Sequence, residues 1–175
     1  MPDVMLRHWT MEGAPALAAI MNNQDLQARL RDGIPFPYTK GDAEDFLRGA
    51  LDAQGNSQYM FAIIYGDEVV GNVVVLGKDN VHSHTGEMGY CLAESHWGRG
   101  IMTEAVRQMC GYIFSQTDII RIFAEPFASN GASCRILEKA GFQLEGTLRQ
   151  NVLKDGKILD TKLYAILKAE GNRER

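Results

Sequence analysis

Trp97-Gly98-Arg99-Gly100-Ile101-Met102-Thr103-Glu104-Ala105 runs from a glycine-rich bend straight into a helical pattern. The first turn of a helix has backbone N–H groups with no intrahelical partner. Those donors, with the positive end of the helix dipole, bind phosphate oxygens. Glycine at 98 and 100 removes the Cβ atoms that would hold an anion at a distance, and glycine tolerates φ > 0. Ile101, Ala105, Met109 and Ile113 then recur every four residues, which is one buried helical face. The stretch predicts a phosphate cradle on a firm support, with an ordinary tight turn as the alternative reading of Gly-x-Gly. A dinucleotide fingerprint needs a third glycine where Thr103 stands, and a P-loop needs a Gly-Lys-Ser/Thr ending that does not follow. The remaining reading is a pyrophosphate-sized anion site of another type.

Around this motif the chain reads as one domain over residues 1–175. Apolar residues make up 45% and charged residues 23%, and the formal net charge is −4. These are the proportions of a globular protein. Basic residues form no run beyond the short tail Arg173-Glu174-Arg175. A nucleic-acid partner, which calls for a basic face, is therefore not expected. No apolar stretch is long enough to span a bilayer, so no membrane partner is expected. Cys91, Cys110 and Cys134 are odd in number and widely spaced. They read as buried thiols, and the expected location is the cytoplasm. No metal-ligand spacing is present, and His82 and His84 read as solvated surface.

The pattern predicts a first strand over 4–10, helices from Glu12 to Asn22 and Gln24 to Arg31, and an extended break at Pro35-Phe36-Pro37-Tyr38. In the first helix Leu17, Ile20 and Met21 form the apolar side. Thr39-x-x-Asp42 resembles a capping box that opens a helix to about Asp52, with Phe46, Leu47 and Ala50 buried. Tyr59–Tyr65 and Val69–Leu76, joined by Gly66-Asp67, predict a hairpin. A strand follows at Gly86–Ala93, then the glycine turn and a helix to about Ser115. Ile119–Phe127 reads as a strand and Gly131–Ala140 as a helix ended by Gly141. Phe142–Asn151 and Ile158–Leu167 flank the turn Asp155-Gly156. The result is a mixed sheet covered by helices.

Glu87-x-Gly89-Tyr90, the Trp97–Ala105 stretch, and Asn130-x-x-Ser133-x-x-x-Leu137-Glu138-Lys139-x-Gly141-Phe142 together resemble the GNAT superfamily of N-acetyltransferases. Within it, the RimJ/RimL branch is the nearer likeness. The resemblance implies an α/β (α+β) fold: a mixed, mostly antiparallel seven-stranded sheet with helices on both faces, splayed between the fourth and fifth strands. It implies acetyl-CoA as co-substrate, with no metal. Backbone N–H groups of Gly98, Arg99, Gly100, Ile101, Met102 and Thr103 would hold its pyrophosphate. Leu92 would hydrogen-bond the pantetheine arm, which pairs with the open strand edge like an added strand. Asn130 matches a residue that contacts the arm or a water, with Ser133 near enough to share the task; plain helix capping is the other reading of both.

Transfer from a thioester to an amine needs an unprotonated amine, a polarised carbonyl and a stabilised leaving thiolate. Glu87 is the candidate base, since period-2 alternation places it on one face with Gly89 and Cys91. Its alternative is a strand-end carboxylate in a salt bridge, and Glu125 is the reserve. Many members of the family carry a tyrosine that protonates the thiolate, but Leu137 stands there, so Ser133 or a water takes that role. Cys134 in an acyl-enzyme is disfavoured, with no histidine nearby in sequence. Arg31 and Tyr38 are the candidate acceptor-binding residues, with Phe36, Asp155, Asp160 and Tyr164 in the same region. The expected acceptor is a small-molecule amine or a protein N-terminus such as that of a ribosomal protein, and a homodimer is compatible with the resemblance. The competing function is a non-catalytic CoA-binding sensor of the same fold.

Overall fold

The computed structural model describes residues 3–171; the tail Arg173–Arg175 lies outside them. In chain order come β1 (Val4–His8), a single 3-10 turn, α1 (Ala14–Met21), α2 (Gln24–Gln27), α3 (Lys40–Ala53), β2 (Gln58–Tyr65), β3 (Glu68–Gly77), β4 (Thr85–Leu92), α4 (Ile101–Gln116), β5 (Arg121–Ala124), α5 (Gly131–Lys139), β6 (Gln143–Lys154), β7 (Lys157–Leu167) and the short α6 (Lys168–Gly171). The seven strands form one sheet in the order β1-β2-β3-β4-β5-β7-β6. Of its pairings only β4 with β5 is parallel. This is the architecture that the resemblance implies.

Alternation along the central strands builds two cores, one on each face of the sheet. Phe61, Ile63, Val73, Val75, Met88 and Ile122 pack against α4 and α5. Met60, Ala62, Ile64 and Cys91 point the other way, against α1 and α3. Ile101, Ala105, Met109 and Ile113 of α4 are all buried, as their spacing predicts, and so are Leu17, Ile20 and Met21 of α1. The capping box forms in full: Thr39 Oγ1 accepts from Asp42 N, and Asp42 Oδ2 accepts from Thr39 N. All three cysteines are buried, and burial pushes the Cys91 and Cys110 thiols up to about 12. Both residues of the Asp155-Gly156 turn take positive φ, as the tightest right-twisting hairpins require.

Close packing between β3 and β4 depends on Gly71. A Cβ at that position would stand 2.4 Å from the Cys91 carbonyl oxygen. The side-chain-free residue lets the two strands approach where β4 nears its end.

Three expectations need correction. Phe46 is 44% exposed, because its turn of α3 is turned away from the core, which α3 meets through Ala43, Leu47 and Ala50. The helix predicted over Gln24–Arg31 is only α2, capped by Asn23 Oδ1 on Leu26 N, and the chain then unwinds. The strand predicted over Ile119–Phe127 stops at Ala124. Pro126 has no N–H to continue a ladder and restricts the residue before it. Beyond that point the chain still follows β7 in the register of β5, with Lys162 N donating to Pro126 O (3.0 Å), Ala128 N to Asp160 O (2.9 Å) and Phe127 bridging Thr161.

The sheet opens on the other side of β5, toward β4. The β4–β5 ladder holds only Thr85 with Arg121, Gly86 with Ile122 and Glu87 with Phe123. From Met88 to Leu92, β4 keeps β3 as its partner while β5 diverges. Ala93 N bonds to Val70 O across β3, so ladder alternation turns the N–H and C=O of Tyr90 and Leu92 toward the gap. Among the described residues no helix is long and apolar enough to cross a membrane.

Candidate active site

At the C-terminal end of β4 the chain makes a 3-10 turn (Glu94–His96) and enters the glycine bend. Gly98 and Gly100 both adopt left-handed conformations, φ 75° and 77°, on either side of Arg99. Such alternation points successive N–H groups into one concavity, a nest for an anion. Gly100 is the N-cap of the 16-residue α4, and no side chain caps it. The donors of the first turn thus have no side-chain cap, and the space beside both glycines is open: a Cβ built at either meets nothing within 4 Å.

The cradle opens into a groove of about 310 Å³ that follows the gap between β4 and β5. It is lined by Leu92, Gly98 to Thr103, Asn130 and Ser133, so the structure brings together the residues predicted to hold the co-substrate and the candidate donor Ser133. Arg29, His96, Arg99, Arg135 and Lys139 also line it, and no acidic residue does. In a chain of net charge −4, this is a local concentration of positive potential suited to a polyanion. Trp97 roofs one end: its Nε1 donates to Leu92 O (2.8 Å), and the Arg29 guanidinium lies over its ring at 4.5 Å. The Leu92 carbonyl therefore already has one partner, which the sequence did not indicate.

Asn130 caps α5, with Oδ1 accepting from Ser133 N (3.2 Å). The capping reading thus holds in this structure, and the amide Nδ2 is free of that task. Ser133 Oγ lies 2.6 Å from the Tyr90 hydroxyl. Burial pushes the Tyr90 phenol up to about 12, and the bond with Ser133 offsets only part of that. Leu137, one turn beyond Ser133, is fully buried in the core. Tyr164, placed by the sequence reading near the acceptor, is instead completely buried, its hydroxyl donating to Glu138 Oε1 (2.7 Å). Desolvation raises its phenol well above the usual tyrosine range. Tyr90 is thus a groove-lining hydroxyl that sequence reasoning did not single out, although Glu87-x-Gly89-Tyr90 had already placed it on the right strand.

Glu87 lies outside this groove, at the closed end of the split, where Lys78 Nζ donates to its Oε2. The ammonium also stands 5.5 Å from the centre of the Phe123 ring. Glu87 and its ion partner remain about two-fifths exposed, at 39% and 36%. Glu125, the reserve base, is exposed on the far side of the gap, 3.4 Å from Asn151 Nδ2.

Arg31 and Tyr38 are not brought together. Tyr38 is buried against the α1–α3 face, which raises its phenol, while its N–H donates to Asn22 Oδ1. Arg31 lines a separate cavity of about 440 Å³ with Phe36, Asp32, Lys154 and Asp155. There Lys154 Nζ pairs with Asp32 Oδ1 (2.9 Å) and ties the 28–36 loop to the β6–β7 hairpin.

Residues 3–143 match the family model described as an acetyltransferase (GNAT) domain. The chain belongs to this family. It is 32% identical over 123 residues to the uncharacterized N-acetyltransferase p20 of Bacillus licheniformis, a match covering 69% of this chain and 67% of that one. It is 31% identical over 106 residues to the ribosomal-protein-serine acetyltransferase of Escherichia coli, covering 61% of this chain and 59% of the relative. The match thus spans less than two thirds of that enzyme's length. Among solved structures, the ribosomal L7/L12 alpha-N-protein acetyltransferase RimL in complex with coenzyme A superposes with a TM-score of 0.85 at 23% identity, over 94% of this chain and 93% of that one. The GNAT fold is shared across nearly the whole chain.

Proposed function

We propose that this GNAT protein is an acetyl-CoA-dependent N-acetyltransferase whose acceptor is the α-amine of a protein N-terminus. The observation that carries the reading is the acid-free cationic groove, which begins at an uncapped helix start and leads to the gap in the sheet. Acetyl-CoA supplies the activated thioester there. The amides of residues 98–103 anchor its diphosphate and Arg99 adds charge, while the outward N–H and C=O of Tyr90 and Leu92 align the arm. Glu87, at the closed end of the gap, receives the proton that the attacking amine sheds, and Ser133 faces the departing sulfur.

The acceptor class has a chemical argument behind it. A lysine-like amine with pKa near 10 is only about 0.1% neutral at pH 7, whereas an α-amine with pKa about 7.8 is roughly one in seven neutral. A site whose candidate base, Glu87, is already paired with Lys78 therefore suits the more readily neutral α-amine. The names of the E. coli enzyme and of RimL point the same way.

The test is a screen for acetyl-CoA-dependent thiol release with ribosomal-protein N-terminal peptides, free amino acids and polyamines. Transfer to the peptides is the expected result. Binding of acetyl-CoA with no thiol released to any amine overturns the enzyme reading and leaves the sensor. In the same assay Glu87→Gln is expected to lower turnover most at the acidic end of the profile, where less amine is neutral, with acetyl-CoA affinity unchanged. Wild-type rates in that variant remove Glu87 from the reaction.

A further inference from the structure

We infer that Tyr90 is a positioning residue for acyl transfer: its phenol holds the Ser133 hydroxyl turned into the groove, so that Ser133 O–H meets the sulfur as it leaves. This rests on the N-acetyltransferase reading above.

A serine inside a helix tends to bond its hydroxyl back to the carbonyl three or four residues earlier. Ser133 does otherwise. Its Oγ bonds to the Tyr90 hydroxyl at 2.6 Å, across from β4 to α5, and its N–H is engaged by Asn130. Two hydroxyls joined by one hydrogen bond carry two donor hydrogens and spend one. The Ser133 carbonyl oxygen also faces the phenol, but at 3.5 Å it is beyond a good O–H···O bond. The phenol is the better donor and the aliphatic oxygen the better acceptor, so Tyr90 donates to Ser133 Oγ and the Ser133 hydrogen is left over. Both residues line the groove. The Tyr164 hydroxyl, also close to α5, is unavailable, since it is buried and committed to Glu138. Leu137 offers no donor at all. With its phenol held up to about 12, Tyr90 keeps its proton throughout the working pH range.

In the reaction the amine nitrogen forms a bond to the thioester carbon, and the carbon–sulfur bond breaks with its electron pair passing to sulfur. The proton shed by the amine goes to the base and from there to solvent. Ser133 O–H donates a hydrogen bond to the sulfur as negative charge develops, and Tyr90 retains its own proton. The thiolate then takes a proton from solvent, so that the net products are the amide and the thiol.

The test compares acetyl-CoA with its selenoester analogue, whose selenolate leaves more easily and has less need of a donor. With acetyl-CoA, Ser133→Ala and Tyr90→Phe are each expected to lower kcat about 10- to 100-fold, the worth of one hydrogen bond to a charged group. Calorimetric affinity for acetyl-CoA stays as in the wild type. With the selenoester the losses shrink to below about 3-fold. The double variant is no slower than Ser133→Ala alone, because both changes remove one interaction. Ser133→Thr, which keeps the hydroxyl, restores most of the rate. Equal losses with the two donors, additive losses in the double variant, or wild-type kcat in Tyr90→Phe overturn the inference. A wild-type protein that transfers to no amine would instead sink the acyl-transfer reading, and this inference with it.

Discussion

Gly100→Val is expected to weaken acetyl-CoA binding at least 100-fold, a loss of about 2.7 kcal/mol. The residue sits at φ 77° as the uncapped start of α4, and the space beside its Cα is open. A branched side chain there is expected to intrude on the space in which the diphosphate is proposed to lie against the amides of Ile101, Met102 and Thr103. The same change strains the backbone, since a left-handed L-residue costs about 1–2 kcal/mol. Two measurements separate these effects. Thermal unfolding of the ligand-free variant falls by about 2–8 °C, as expected for 1–2 kcal/mol in a domain of this size. Calorimetry reports the far larger loss of affinity. Gly100→Ala should show a similar strain with a smaller affinity defect. An unchanged dissociation constant in Gly100→Val removes the cradle assignment, and with it the case for the groove.

The second large effect concerns the fold. Gly71→Ala places a methyl group 2.4 Å from the Cys91 carbonyl oxygen, with Ile63 Cδ1 and Leu92 Cδ1 both at 3.2 Å. The side chains can shift, but the backbone oxygen can move only if β3 and β4 part. Overpacking of this kind costs about 3 kcal/mol, toward the upper end for a well-packed core. The midpoint should drop by about 6–12 °C. The damage also reaches the site, because β4 is the strand that presents Tyr90 and Leu92 to the gap. A variant with wild-type thermal stability would show that the strands are not held at this separation.

The element order was legible because each signal was local. The glycine bend, the four-residue repeat in α4, the capping box at Thr39 and the Asp155-Gly156 turn each fall within a few residues, and each forms as its chemistry demands. Errors arose where distant parts of the chain decide. The expected strand runs on through Pro126 to Phe127, whereas β5 ends at Ala124, and its partner on that side is a strand more than thirty residues later. Phe46 fits the apolar pattern of α3 and still faces solvent, since the sheet offers that helix a stripe only as wide as Ala43, Leu47 and Ala50. At the site, the cradle could be read from the sequence. The Tyr90–Ser133 contact joins residues forty-three apart, and the Lys78–Glu87 pair depends on strand register, so neither was visible in any motif.

One consequence follows from where the cradle lies. The amides and cations proposed to hold the nucleotide end stand at the mouth of the gap, away from its closed end beside Glu87. For a GNAT acetyltransferase, the spent carrier has the same phosphates as the loaded one, so these contacts hold both equally and favour neither. Free coenzyme A should compete with its acetylated form at similar concentration. Turnover would then track the balance between the two pools rather than the supply of either, making the protein responsive to the acetylated fraction of the coenzyme A around it.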